Sequence, residues 1–139
     1  LLEKLISYMI ERLPKSSKTK INLKIEHSCH VMADYVLLNW AFENLIKNSI
    51  DAITSSQGEI IIFVRIEDDK VDIDFIDNGK GIKRNDWNNI FKPGFSTKKR
   101  GWGLGLSLTQ RIIKEIHKGD IMVVSSSFEG TKIRVSILK

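Results

Sequence analysis

Six of the nine glycines in this chain fall between positions 79 and 105. They punctuate Asp77-Asn78-Gly79-Lys80-Gly81-Ile82, then Phe91-Lys92-Pro93-Gly94-Phe95-Ser96-Thr97-Lys98, then Gly101-Trp102-Gly103-Leu104-Gly105-Leu106. Glycine loses more conformational freedom on ordering than any other residue, so such a cluster costs order that a bound partner must offset. Its charge indicates the partner. Residues 80–100 hold seven Lys/Arg against Asp86, a net of +6, whereas the whole chain carries +5. A basic, glycine-rich segment between ordered elements suits a polyanion such as a nucleotide phosphate.

The 139 residues, 42% hydrophobic and 28% charged, suffice for one core and are too few for two, so residues 1–139 are expected to form one domain. The sequence pI near 9.4 raises the question of nucleic acid. Outside 80–100, however, no basic stripe with interleaved aromatics occurs, and no nucleic-acid partner is expected. The lone Cys29 excludes an internal disulfide framework and fits a reducing, cytoplasmic compartment. No apolar run approaches the roughly 20 residues of a membrane span, and no direct membrane contact is expected.

Leu2, Leu5, Ile6, Met9 and Leu13 recur at helical steps up to Pro14, which marks a first amphipathic helix. Ile21, Leu23 and Ile25 alternate with polar residues as a half-buried strand would. Asp34 is a fair N-cap for a long helix running to about Ile53. Glu59 to Glu67 and Lys70 to Asp77 read as a hairpin through Asp68-Asp69. In that hairpin the run Ile60 to Val64 is apolar on both faces, like a strand covered on both sides, while Val71, Ile73 and Phe75 alternate with Asp72 and Asp74. A short helix over Lys83–Ile90, a third helix from Leu104 closed by Gly119, and a last hairpin around Phe128-Glu129-Gly130 complete an α+β chain with helices on one face of a mixed, largely antiparallel sheet.

On the long helix, Leu37, Ala41, Leu45 and Ala52 share one arc, with Asn48 inside it and Asn44 at its edge. A buried amide without partners costs roughly 1 to 3 kcal/mol, so either backbone groups satisfy these two or the face borders a cavity for a polar ligand. Asp77 at a strand end beside glycines is ordinary turn chemistry, or a carboxylate that accepts from an exocyclic amine. Gly101-x-Gly103-x-Gly105 ahead of a helix offers free backbone N–H groups to an anion. No Gly-x4-Gly-Lys-Ser/Thr loop is present, the glycine spacing does not fit a dinucleotide fingerprint, and, without further ligands, His27 and His30 beside Cys29 at a strand edge are more often surface residues than metal ligands.

Taken in order, Asn44-x-x-x-Asn48, Asp77-x-Gly79-x-Gly81, Phe91-x-Pro93-x-Phe95 and Gly101-x-Gly103-x-Gly105-Leu106 resemble the catalytic ATP-binding domain of sensor histidine kinases, within the GHKL ATPases. The resemblance covers nearly the whole chain. It implies a Bergerat-type two-layer α/β sandwich, with ATP and Mg²⁺ bound between the long helix and a lid of about residues 91–104. It also implies that Asn48 is the magnesium ligand and Asn44 a polar partner near the phosphates. Asp77 would bind the adenine amine, Gly79 and Gly81 would shape that wall, and Phe91 and Phe95 would hinge and pack the lid. Gly101, Gly103, Leu104 and Gly105 would wrap the phosphates, with Lys98 reaching the γ-phosphate. The implied partners are a dimerisation domain carrying the phosphoacceptor histidine and, downstream, a response regulator. Those domains and any sensor domain lie outside this chain, in a cytoplasmic setting whether or not the parent protein is membrane-anchored.

The pattern departs at Asp51, where many relatives carry Lys or Arg, at Trp102, where a small hydroxyl residue is usual, and at Lys80, often small or apolar. Hydrolases of the gyrase, MutL and Hsp90 kind place a Glu base four residues before the magnesium Asn. Here Asn44 holds that position, and Glu43 points about 140° from Asn48 on the helix. Phosphoryl transfer to a histidine is therefore expected over ATP hydrolysis. A non-catalytic nucleotide-sensing docking module and an anti-sigma serine kinase are the remaining alternatives.

Overall fold

The computed structural model describes residues 2–12, 19–27, 29–53, 57–94 and 105–139. Helix α1 spans Leu2–Arg12 and buries Leu2, Ile6 and Met9, the stripe that its spacing predicts. Helix α2 spans Tyr35–Ala52. The Asp34 carboxylate accepts from the Val36 and Leu37 N–H groups at 3.1 Å each, which satisfies two of the helix's orphan donors. Helix α3 is short, Gly105–Arg111, and the chain continues through Ile112–Ile116 with a widened turn in which the His117 N–H reaches the Ile112 carbonyl at 3.1 Å.

Strands β1 (Thr19–Ile25), β2 (Gly58–Glu67), β3 (Lys70–Asp77), β4 (Asp120–Ser127) and β5 (Gly130–Leu138) form one sheet in the order β1-β2-β3-β5-β4. Only the β1–β2 pair is parallel, so the sheet is mixed and largely antiparallel, as expected. Asp68, at φ 52°, turns the β2–β3 hairpin. The core lies between the helices and one face of the sheet. Leu38, Phe42, Leu45 and Ile46 of α2 pack with Ile60, Ile62, Val71, Ile73, Phe75, Val135 and Ile137. Burying each such side chain contributes roughly 1.5 to 3 kcal/mol. None of the described helices is long and apolar enough to cross a membrane.

Four sequence expectations need correction. The Ile60–Val64 run is not covered on both sides: Ile60, Ile62 and Val64 are buried, while Ile61 and Phe63 are half-buried on the open face. Asp72 and Asp74, expected on a solvated face, are 3% and 2% exposed, because cations from neighbouring strands cover them. Arg134 Nε and Nη2 donate to the two Asp74 carboxylate oxygens at 2.8 and 3.2 Å, and Arg65 Nη2 lies 3.5 Å from Asp74. The expected helix over Lys83–Ile90 is two 3₁₀ turns, Arg84–Asp86 and Asn89–Phe91. Finally, the residue in the left-handed region after α3 is Lys118, at φ 55°. Gly119 is instead held by close approach, since a side chain there would overlap the Ser136 carbonyl oxygen.

Candidate functional site

Asp77 ends β3 on the helix side of the sheet, in register with Ile60 of β2 and Thr131 of β5. It is 8% exposed. Its Oδ1 accepts the Gly79 N–H at 2.9 Å, and the Ser49 hydroxyl and the Thr131 backbone N–H are the other polar groups that favour its charged form. Burial nevertheless raises its pKa above the ordinary 3.8, because these groups are neutral and offset only part of the desolvation. A carboxylate so held keeps acceptor capacity for one further donor.

The turn after Asp77 is built for close approach. Asn78 fastens it to β2: its Oδ1 accepts the Glu59 N–H at 2.8 Å and its Nδ2 donates to the Gln57 carbonyl at 2.9 Å. A Cβ on Gly79 would stand 2.8 Å from the Ala52 carbonyl oxygen, at the end of α2. The Lys80 N–H donates to that same oxygen at 2.9 Å. Gly81 takes φ 85°, and a side chain on it would overlap the Ser127 carbonyl. Only glycine fits at either place. Beyond the turn, the Trp87 Nε1–H donates to the Ile82 carbonyl at 3.1 Å and Arg84 stacks over the Trp87 ring at 4.3 Å.

Asn44 and Asn48 lie one turn apart on α2, both half-buried. The buried arc of the helix is Leu38, Ala41, Phe42, Leu45, Ile46 and Ser49. It is rotated from the expected arc, which leaves the two amides on its flank, beside α3, rather than at its centre. Asn44 Nδ2 donates to the Trp40 carbonyl at 2.9 Å. Its Oδ1 lies 3.1 Å from where a Cβ on Gly105, the first residue of α3, would stand. Glu43 is turned elsewhere, its Oε1 accepting from Asn39 Nδ2 at 3.3 Å. Phe91 is buried in the second 3₁₀ turn and joins the core.

The structure thus brings Asp77, Gly79 and Gly81 to the end of α2, and Asn44 to the start of α3. Phe95, Lys98, Gly101, Gly103 and Leu104 lie outside the described residues. No group of three or more His, Cys, Asp or Glu able to hold a metal occurs among the described residues. Ser49 and Thr131 were not singled out from the sequence. A serine in the buried phase of α2 and a threonine in the inward phase of β5, beside Ile133 and Val135, are the signals that could have found them.

Residues 33–139 match the family described as histidine kinase-, DNA gyrase B- and HSP90-like ATPase. The chain belongs to this family. Membership implies ATP binding. Among its relatives, sporulation kinase B of Bacillus subtilis (strain 168) is 31% identical over 137 residues, covering 99% of this chain and 32% of that protein. The signal transduction histidine-protein kinase AtoS of Escherichia coli (strain K12) is 43% identical over 96 residues, covering 68% of this chain and 16% of that one. The chain therefore spans less than a third of the length of either kinase. The solved catalytic domain of histidine kinase ThkA superposes with a TM-score of 0.84 at 26% identity, over 99% of this chain and 94% of that one. ThkA has also been solved in complex with the response regulator protein TrrA, where the TM-score is 0.81 at 25% identity and 40% of that kinase chain is covered.

Proposed function

We propose that residues 1–139 are one ATP-binding catalytic domain of a sensor histidine kinase, which transfers the γ-phosphoryl group of ATP to a histidine on a separate dimerisation domain. The observation that carries this reading is the contrast between the two ends of the site. Asp77 is a buried acceptor with, among the described residues, only neutral donors around it, suited to the adenine amine. At the other end, the position from which the hydrolases supply a carboxylate base holds Asn44, whose amide nitrogen is tied to Trp40.

The residues present fit Mg²⁺-ATP. With the Asn44 nitrogen engaged, its oxygen is the atom presented towards α3. The proposal assigns Asn48 as the protein oxygen ligand of Mg²⁺, a hard cation that keeps several waters and takes phosphate oxygens for the rest, and that would neutralise phosphate charge. Asp77 fixes the base, Gly79 and Gly81 let the backbone wall stand close to it, and Asn44 orients the phosphate end. Phe91 and Phe95 are assigned as the lid hinge and packing residues of 91–104. Gly101, Gly103, Leu104 and Gly105 are assigned to the phosphates, with Lys98 contacting the γ-phosphate.

Phosphoryl transfer rests on in-line positioning and charge stabilisation rather than covalent work by the protein. The β–γ bridging P–O bond breaks, a P–N bond to the acceptor imidazole forms, and ADP leaves. Water is a poor competitor because no base lies at position 44. A response regulator is the expected next acceptor, and the domain is assigned to the cytoplasm.

Incubating the chain with radiolabelled Mg-ATP and a separately supplied dimerisation domain tests this. Label should appear on the added domain as an acid-labile, base-stable phosphohistidine and be lost in Asn48→Ala. Rapid phosphate release by the chain alone would favour a hydrolase. ATP binding without transfer to any dimerisation domain would favour a nucleotide-sensing module.

A further inference from the structure

The inward turn of Ser126 on β4 comes from a break in the sheet register. Val123 pairs with Ile133, but the next pairs are Ser125 with Lys132 and Ser126 with Thr131, so one extra residue is accommodated at Val124. Such a bulge flips the side-chain alternation. Without it Ser125 would face the helices; with it Ser125 is exposed and Ser126 stands beside the buried Thr131. The Ile82 N–H donates to Ser126 Oγ at 2.6 Å, and Ser126 Oγ lies 2.7 Å from Thr131 Oγ1. Ser126 thereby joins the turn after Gly81, which has no hydrogen bond of its own to β5 among those described, to Thr131, the residue of β5 that pairs with Asp77 in the sheet.

We propose that Ser126 is a positioning residue for nucleotide binding, which sets the distance between the Gly81–Ile82 wall and Asp77 at the base end of the site. The proposal rests on the reading of this site as an ATP site. Ser126 is assigned to act through the Ile82 N–H and Thr131. Its single hydroxyl accepts from Ile82 and bonds Thr131, so its loss leaves a half-buried N–H without an acceptor and frees the wall from the strand.

The test is calorimetric titration of ATP and of ADP into the wild type, Ser126→Ala, Ser126→Cys and Ser126→Thr, with amide hydrogen exchange at Ile82. Expected are a loss of about tenfold in affinity in the Ala and Cys variants, equal for ATP and ADP because both share the base end. Exchange at Ile82 should be faster in both, and Ser126→Thr, which keeps the hydroxyl, should restore both readouts. The Cys variant keeps the side-chain volume and carries the test if Ser126→Ala folds poorly. Unchanged affinity in Ala and Cys, a loss confined to ATP, or a Thr variant as weak as Ala would overturn the proposal. Failure of the wild type itself to bind ATP would instead refute the functional reading.

Discussion

Strand β3 buries three aspartates, and their surroundings differ in kind. Asp72 and Asp74 point to the open face of the sheet. There Arg134 forks onto Asp74, Arg65 reaches both carboxylates, Lys132 lies 3.9 Å from Asp74, and the Ser136 hydroxyl donates to Asp72 at 2.6 Å. Asp77 points to the helix face and, among the described residues, has only neutral donors. Charge compensation on the spot is what a structural carboxylate needs, since an unpaired buried charge is expensive. The Asp74 partnership also pushes the Arg134 guanidinium pKa up, chiefly through the hydrogen bond they share. A carboxylate left with dipoles and raised by burial is instead kept ready for a donor that arrives with a ligand. The same residue type, a few positions apart on one strand, thus serves the fold on one face and, in the proposed function, binds the nucleotide base on the other.

The largest effect expected from this contrast is on stability. Asp74→Ala removes the buried side of this network and takes from Arg134, itself 27% exposed, its hydrogen-bonded partner, so unfolding free energy should fall by about 1.5 to 3 kcal/mol. Denaturant titration would show this, while ATP affinity of the still-folded fraction should stay within about twofold of wild type, as sites that share no partner are independent. A loss of affinity parallel to the loss of stability would break the distinction between the two faces.

Next is the phosphate end. Asn48→Ala should weaken Mg-ATP binding by about tenfold, the size of one lost hydrogen-bonding or ligand interaction, and weaken magnesium-free ATP much less. Equal losses with and without magnesium would mean that Asn48 is structural.

The smallest effect is the pH dependence of Asp77. Its folded pKa is raised above the ordinary 3.8, so the native state binds the proton more tightly than the unfolded chain does. The resulting stability is present below the unfolded pKa and is lost as pH rises through the folded one. Thermal unfolding should therefore find Asp77→Asn at least as stable as the wild type at neutral pH, with the wild type gaining on it as pH falls through that window. A wild type that loses ground to Asp77→Asn on acidification would contradict the assignment.

Much of this was legible because the signals are local. Asp34 caps α2, Asp68-Asp69 turns the hairpin, and the Asn44, Asp77 and Gly79 spacings lie within single elements. The fate of Asp72 and Asp74 was not legible, because alternation reports which face a residue takes and not what covers that face. Arg65 and Arg134 come from the strands on either side. The same holds for the donors of Asp77: Ser49 lies on α2 and Thr131 on β5, and only the folded chain brings them together. Ser126 faces inward through a bulge at Val124 that no residue pattern announces.

Titrating Mg-ATP into wild type, Asp77→Asn and Asp74→Asn in one calorimetric series separates Asp77, the proposed acceptor for a nucleotide base, from Asp74, which holds the sheet together. An amide at position 77 would set a donor against the adenine amine and leave a group unpaired in the pocket. A loss of at least about a hundredfold is expected for Asp77→Asn, worth roughly 2.7 kcal/mol, and near wild-type affinity for Asp74→Asn. Unchanged affinity in Asp77→Asn, or equal losses in the two variants, would contradict that acceptor role.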